Sequence, residues 1–162
     1  KEKYNKNYIS VQPANLYGVG DNFDLKSSHV LPALVKKFTL AKEKELKSVE
    51  IWGSGNQKRE FLNVIDLASA ILFLLNKKIK HDYLNIGSGE QVSIKELAMT
   101  IKEITGYKGR VFFNKDYPDG VKKRVVDSKL INKLGWKAKI KLKTGLNEYC
   151  SYYINKVMPE EK

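Results

Sequence analysis

The stretch from Tyr83 to Gly106 narrows most sharply what this chain can become. Tyr83-Leu84-Asn85-Ile86 is a short β-forming run that stops at Gly87-Ser88-Gly89, where the chain turns from strand to helix. The helix that follows has both ends marked. Ser93 and Glu96 have capping-box spacing, so their side chains can satisfy orphan N–H groups reciprocally, and Gly106 ends the helix. Ile94, Leu97, Ala98, Ile101 and Ile104 recur at helical spacing and form a single apolar stripe. Such a stripe has to be buried against another layer, and strands alternate with helical stretches along the rest of the chain. The sequence therefore predicts an α/β fold.

In chain order, Lys1 to Asn7 reads as the end of a helix, and Tyr8 to Gln12 as a buried strand stopped by Pro13. Pro13 to Asn22 reads as a loop leaving that strand's C-terminal end, the edge where open α/β sheets gather ligands. Ser27 and Ser28 stand at the cap of a helix that tolerates Pro32 in its first turn and buries Leu31, Leu34, Val35 and Phe38. Val49 to Trp52 is a strand, Gly53-Ser54-Gly55 a turn, and Arg59 falls on a loop. A helix near Asp66 turns Leu67, Ala68, Ile71, Leu72 and Leu75 inward. Arg110 to Phe113 is a strand, Asn114 to Gly120 a polar loop, and a short helix runs from about Asp127 to Gly135. The last helix starts near Thr144 and uses Leu146, Tyr149, Tyr153 and Ile154, with a frayed tail beyond Val157.

Bulk properties exclude several classes. The 162 residues suit one domain or part of a larger one, and 42% hydrophobic content supplies a core. No apolar run approaches the roughly 20 residues of a membrane span, and no signal peptide precedes the first strand. A single cysteine, Cys150, precludes an internal disulfide and fits a reducing, cytoplasmic setting. Two histidines and that cysteine, far apart, make no metal site. The net charge of +12 invites nucleic acid. Its lysines, however, are scattered over helix ends and polar faces without RNP-like or zinc-finger spacing. The charge suits a solvated surface that attracts a phosphorylated small molecule.

A few side chains stand out as candidates for chemistry. His29 falls at the positive end of its helix, a place that suits a proton-exchanging imidazole, or it is a surface histidine. Lys37 lies eight residues on, about 12 Å along the axis on a similar side, so a long anionic ligand could span the two. Arg59 can grip phosphate oxygens in a two-pronged way. Trp52 offers a flat face and an indole N–H, or is a core tryptophan. Asp119, in Pro118-Asp119-Gly120, is either turn chemistry or an acceptor for sugar hydroxyls. The two Gly-Ser-Gly elements lack a full dinucleotide or Walker pattern. Tyr152-x-x-x-Lys156 matches a dehydrogenase pair but lies in the last helix, after every other feature, and Cys150 reads as a packed thiol.

Several of these stretches together resemble one family. They are Val11-Gln12-Pro13-Ala14-Asn15-Leu16-Tyr17-Gly18, Asp21-Asn22-Phe23, Ser28-His29-Val30-Leu31-Pro32-Ala33-Leu34, Trp52-Gly53-Ser54-Gly55, Arg59-Glu60-Phe61-Leu62, Asn85-Ile86-Gly87-Ser88-Gly89, Gly106-Tyr107-Lys108-Gly109 and Pro118-Asp119-Gly120. The resemblance is to the GDP-L-fucose synthase family of extended short-chain dehydrogenases and runs from about Tyr4 to Ile154. It implies NADP(H)-dependent 3,5-epimerisation and 4-reduction of GDP-4-keto-6-deoxy-D-mannose. It also implies roles: Pro13, Ala14, Asn15, Leu16 and His29 at the cofactor, His29 as the epimerisation acid, and Lys37, Trp52, Arg59 and Asp119 on the substrate. The family's Gly-rich loop, catalytic Ser, Tyr and Lys, and epimerisation Cys belong before Lys1. By this resemblance the chain is the C-terminal half, inactive without the N-terminal half and homodimeric when whole, with no nucleic-acid or membrane partner. Residues 1–26 would be the last part of a Rossmann-type dinucleotide domain, 27–157 the small substrate-binding α/β region, and 158–162 a tail. The alternatives are another NAD(P)-dependent nucleotide-sugar epimerase or dehydratase, and a non-catalytic sugar-nucleotide binding module.

Overall fold

Strand pairing in this chain joins segments that are distant in sequence. The computed structural model describes residues 3–75 and 77–161. Its elements are β1 (Ser10–Pro13), β2 (Asn15–Tyr17), α1 (Val30–Glu43), β3 (Ser48–Trp52), β4 (Lys58–Asn63) and α2 (Val64–Leu75). They continue with β5 (Tyr83–Ile86), β6 (Gln91–Ser93), α3 (Ile94–Thr105), β7 (Arg110–Asn114), β8 (Lys123–Arg124), α4 (Lys129–Lys133) and α5 (Leu142–Tyr152). β1 pairs with β5 and β3 with β7, both in parallel. β4 is the hub of a third sheet, parallel to β2 and β8 and antiparallel to β6.

Two cores result. The larger is built from α1, α3 and α5 around β3 and β7, with Phe38, Val35, Leu97, Ile101, Leu146 and Tyr153 all fully buried. The helix from Ile94 is as the sequence predicts: Ser93 Oγ accepts from Glu96 N at 3.1 Å and Glu96 Oε2 accepts from Ser93 N at 2.7 Å. Gly106 closes it at φ 73°. The smaller core lies between the β1–β5 sheet, α2 and α4, around Leu62, Leu84, Ile86 and Ile131.

Several expectations are corrected. The first strand is mostly exposed, because among the described residues it pairs only with β5. The loop after Pro13 contains β2, which docks on Phe61 to Asn63 of β4. β6 and β8 add two short strands to β4, and Arg59 lies within β4 rather than on a loop. Helix α1 begins at Val30 with His29 as its N-cap residue, and Ser28 Oγ is buried without a partner instead of capping.

Helix α2 turns a different face inward from the one expected. Asp66, Ala70 and Leu74 are buried, whereas Ala68, Ile71, Leu72 and Leu75 are exposed. Asp66 sets this rotation. Its carboxylate accepts from the backbone N–H groups of Lys139, at 3.1 Å, and Ile140, at 2.9 Å. Residues four and eight positions on then share its face. The chain end is also ordered beyond expectation. A π-helical turn, Tyr153–Val157, and a 3-10 turn, Met158–Glu161, extend α5, and Met158 packs into the larger core. Ile154 points outward at 38% exposure. Of the helix end expected at the start, Lys1 and Glu2 lie outside the described residues and Lys3 to Asn5 form a turn.

Candidate functional site

Two cavities meet at Arg59. The first, about 500 Å³, is lined by Pro13, Ala14, Asn15, Leu16, His29 and Arg59, among others. The Pro13–Leu16 wall is where the chain leaves one sheet for the next: Ala14 N donates to Ile86 O at 2.9 Å, and Asn15 Nδ2 donates to Glu60 O at 2.8 Å. Backbone and small side chains therefore face the cavity from a segment pinned at both ends. His29 lines the same cavity. Its backbone is extended (φ −71°, ψ 169°) and its side chain makes no capping bond, so the imidazole is not used up in holding α1.

The second cavity, about 510 Å³, is lined by Lys37, Trp52, Gln57, Arg59 and Asp119 over an apolar floor that includes Leu34. Lys37 Nζ donates to Glu50 O at 3.1 Å and lies 5.3 Å from the Trp52 ring centroid. Burial holds its ammonium below the usual lysine range, and the nearby Glu50 charge opposes that shift. Trp52 is 58% exposed, which rules out the core-tryptophan reading. It stacks on Tyr117 with centroids 4.5 Å apart and planes 13° from parallel.

Asp119 ties two loops together. Its Oδ1 accepts from Ser54 N at 2.6 Å and Gln57 Nε2 at 2.7 Å, and its Oδ2 accepts from Ser54 Oγ at 2.7 Å. The bond from the Ser54 backbone, reinforced by its hydroxyl, holds the carboxyl below its ordinary range. A carboxylate has about four acceptor positions, so one remains on Oδ2 for an outside donor. Gly53 is required here. It sits at φ 83°, and a Cβ would come within 2.7 Å of Asp119 Oδ1.

Arg59 is anchored in turn. Its Nη1 donates to Lys58 O and Val121 O, both at 2.8 Å, leaving its remaining N–H groups available. Glu60, its neighbour on the opposite face of β4, is 1% exposed. Its oxygens accept from Gly89 N at 2.8 Å and Val126 N at 3.0 Å. This buried carboxylate fixes the turn after β5 and the segment after β8 behind the site.

The sequence-predicted residues thus fall into two groups that share Arg59: Pro13–Leu16 with His29, and Lys37 with Trp52 and Asp119. Gln57 and Tyr117 were not foreseen. Tyr117's place directly before Pro118-Asp119-Gly120 is the one available hint. Tyr152 and Cys150 line neither cavity. The Tyr152 hydroxyl accepts from Gly20 N at 3.3 Å, and burial pushes the Cys150 thiol up to about 12. Among the described residues no three His, Cys, Asp or Glu side chains cluster as metal ligands, and no helix is long and apolar enough to cross a membrane.

Comparison with known proteins matches residues 1–87 to the NAD dependent epimerase/dehydratase family. The probable GDP-L-fucose synthase 1 of rice, Oryza sativa subsp. japonica, is 44% identical over 154 residues, 95% of this chain and 47% of the rice protein. The chain spans about half the length of the curated relatives it matches. A GDP-D-glycero-L-gluco-heptose synthase from Campylobacter jejuni, crystallised in the presence of NADPH, superposes with a TM-score of 0.81 at 34% identity, covering 96% of this chain and 55% of that one. A GDP-L-fucose synthetase of Naegleria fowleri bound to NADP gives 0.85 at 25% identity, covering 93% and 47%.

Proposed function

The chain belongs to the NAD dependent epimerase/dehydratase family, and from that premise we propose that it is the sugar-nucleotide side of a GDP-L-fucose synthase. The whole enzyme would carry out NADPH-dependent 3,5-epimerisation and 4-reduction of GDP-4-keto-6-deoxy-D-mannose. One observation carries the reading. The two cavities are continuous in character with an elongated ligand: an aromatic and polar end at Trp52 and Asp119, a guanidinium at the junction, and a proton-exchanging group at the far end.

In this reading Lys37 and Trp52 receive the nucleotide, and the free acceptor position on Asp119 takes a ribose hydroxyl. Arg59, held by two carbonyls, grips the diphosphate without first having to be ordered. The hexose then lies beside His29. That imidazole delivers a proton to the sugar ring during epimerisation, with a cysteine elsewhere in the whole enzyme as its counterpart. The pinned Pro13–Leu16 wall carries the apolar side chains of Pro13, Ala14 and Leu16, which fits a nicotinamide ring. NADP(H), when bound there, supplies the hydride that reduces C4. The whole protein is proposed to be a cytoplasmic homodimer, with no nucleic-acid or membrane partner.

Titration calorimetry of the 162-residue chain with GDP beside UDP tests the reading. Saturable GDP binding, at least about tenfold tighter than UDP and abolished by Arg59→Ala, is the expected result. A preference for UDP would move the chain to another branch of the family. Absence of heat from a demonstrably folded chain would overturn the site. The likeness to the heptose synthase supports a second reading, a GDP-sugar reductase with a different hexose or heptose. Both readings share GDP binding, and they separate on turnover of the two keto sugars by the whole enzyme.

A further inference from the structure

Gln57 directly precedes β4 and is only 6% exposed, yet it lines the cavity of Trp52 and Asp119. Its main-chain carbonyl accepts from Ile94 N at 3.1 Å, which holds the residue against the start of α3. One end of its side-chain amide is held as firmly, because Nε2 donates to Asp119 Oδ1 at 2.7 Å. A carboxylate only accepts, so this bond fixes which end of the amide is the nitrogen. The other end is a carbonyl oxygen. Among the described residues Oε1 is shut off from solvent and has no hydrogen-bond partner. Ser28 Oγ is the one other such side-chain atom contributed by the residues lining this cavity. A buried carbonyl left without a donor is costly, and a donor on a ligand in the cavity removes that cost.

We propose that Gln57 selects for a ribonucleotide: its Oε1 accepts from one hydroxyl of the ribose diol while Asp119 Oδ2 accepts from the other. This rests on the sugar-nucleotide reading above and deepens it, since there the ribose has Asp119 alone. The acceptor position that Ser54 leaves on Oδ2 and the Gln57 carbonyl are joined through a single hydrogen bond, from Nε2 to Oδ1. Two acceptors fixed side by side call for two donors side by side, which neighbouring hydroxyls on one edge of a ribose provide. Asp119 holds the amide before any ligand arrives, so no side chain has to be ordered on binding. A nucleotide lacking either hydroxyl leaves an acceptor unmatched in the cavity wall, and sites of this kind reject such analogues.

The test is a titration of the full chain and its Gln57→Leu and Gln57→Lys variants with GDP, 2′-deoxy-GDP, 3′-deoxy-GDP and inosine diphosphate, with the unfolding midpoint recorded for each. The wild-type chain is expected to bind each deoxy analogue about tenfold more weakly than GDP. In Gln57→Leu the penalty for one deoxy analogue should fall below about twofold while the penalty for the other stays. Gln57→Lys keeps a donor for Asp119 but has no acceptor, so it should give the same pattern, and it decides the matter should the leucine variant unfold. Wild-type binding of GDP that is insensitive to either hydroxyl would overturn the proposal and leave the sugar-nucleotide reading intact. Both penalties persisting in the variants would make Gln57 a brace for Asp119 and overturn it as well. A variant that instead loses a preference for GDP over inosine diphosphate would place Oε1 on the base, again overturning it. Failure of the wild-type chain to bind any of the four would overturn the sugar-nucleotide reading itself.

Discussion

Helices α2 and α3 are each 12 residues long and directly follow a strand, yet they sit in their cores very differently. Helix α3 buries Ile94, Leu97, Ala98 and Ile101 and turns its charged residues outward. Helix α2 buries Asp66, Ala70 and Leu74 and leaves Ile65 and Leu75 at 63% and 74% exposure. The difference lies in what decides rotation about the helix axis. In α3 polar residues alternate with apolar ones, so hydrophobic burial alone selects one face. Helix α2 is apolar nearly all round, so burial selects weakly, and the hydrogen bonds of one carboxylate choose the face.

The comparison is open to attack by mutation. Leu97→Ala, at a fully buried site, should cost about 2–5 kcal/mol in urea unfolding. Next, Asp66→Ala strands the Lys139 and Ile140 N–H groups and should cost about 1–3 kcal/mol. It should also alter tryptophan emission, because the Trp136 indole donates to Ser69 on the same helix. A native spectrum and an unchanged midpoint would show that Asp66 does not set the rotation. Ser93→Ala removes a cap and should cost about 1 kcal/mol, whereas His29→Ala removes none and should stay within about 0.5 kcal/mol. If the proposed function holds, the second variant should nonetheless abolish epimerisation when introduced into the whole enzyme. Leu75→Ala, on the exposed face of α2, should fall within about 0.5 kcal/mol. A cost like that of Leu97→Ala would erase the contrast.

Asp119 adds a prediction read along the pH axis. Its folded-state pKa is depressed, so the clip's contribution is complete above the unfolded carboxyl's ordinary value of 3.8. That contribution is lost as pH falls through the lower folded value. Asp119→Asn should flatten this acid limb of the stability profile and weaken GDP. An unchanged acid limb would show that the clip does not contribute.

Legibility in the sequence followed the same physics. The capping box, the α3 stripe and the buried face of α1 could be read because local spacing determines them. Strands β2, β6 and β8 could not, since two or three residues carry no period and exist as strands only through their pairing with β4. Among the site residues, His29, Lys37, Trp52, Arg59 and Asp119 stood out as residue types suited to the chemistry. That Arg59 joins two cavities, or that Asp119 spends three of its acceptor positions on Ser54 and Gln57, depends on contacts across more than sixty residues.

The distant strand partnerships also bear on how the chain reaches this structure. Ser10 meets Tyr83, Ser48 meets Arg110 and Lys58 meets Lys123, so no sheet gains a hydrogen bond until a long loop has closed. Such contact order places folding in the millisecond-to-second range rather than the microsecond one. Helices α1 and α3 need only local bonds and pack on each other. They can form the surface on which β3 and β7 later find one another. A substitution in the core that these helices share, such as Phe38→Ala, should therefore slow refolding more than it speeds unfolding.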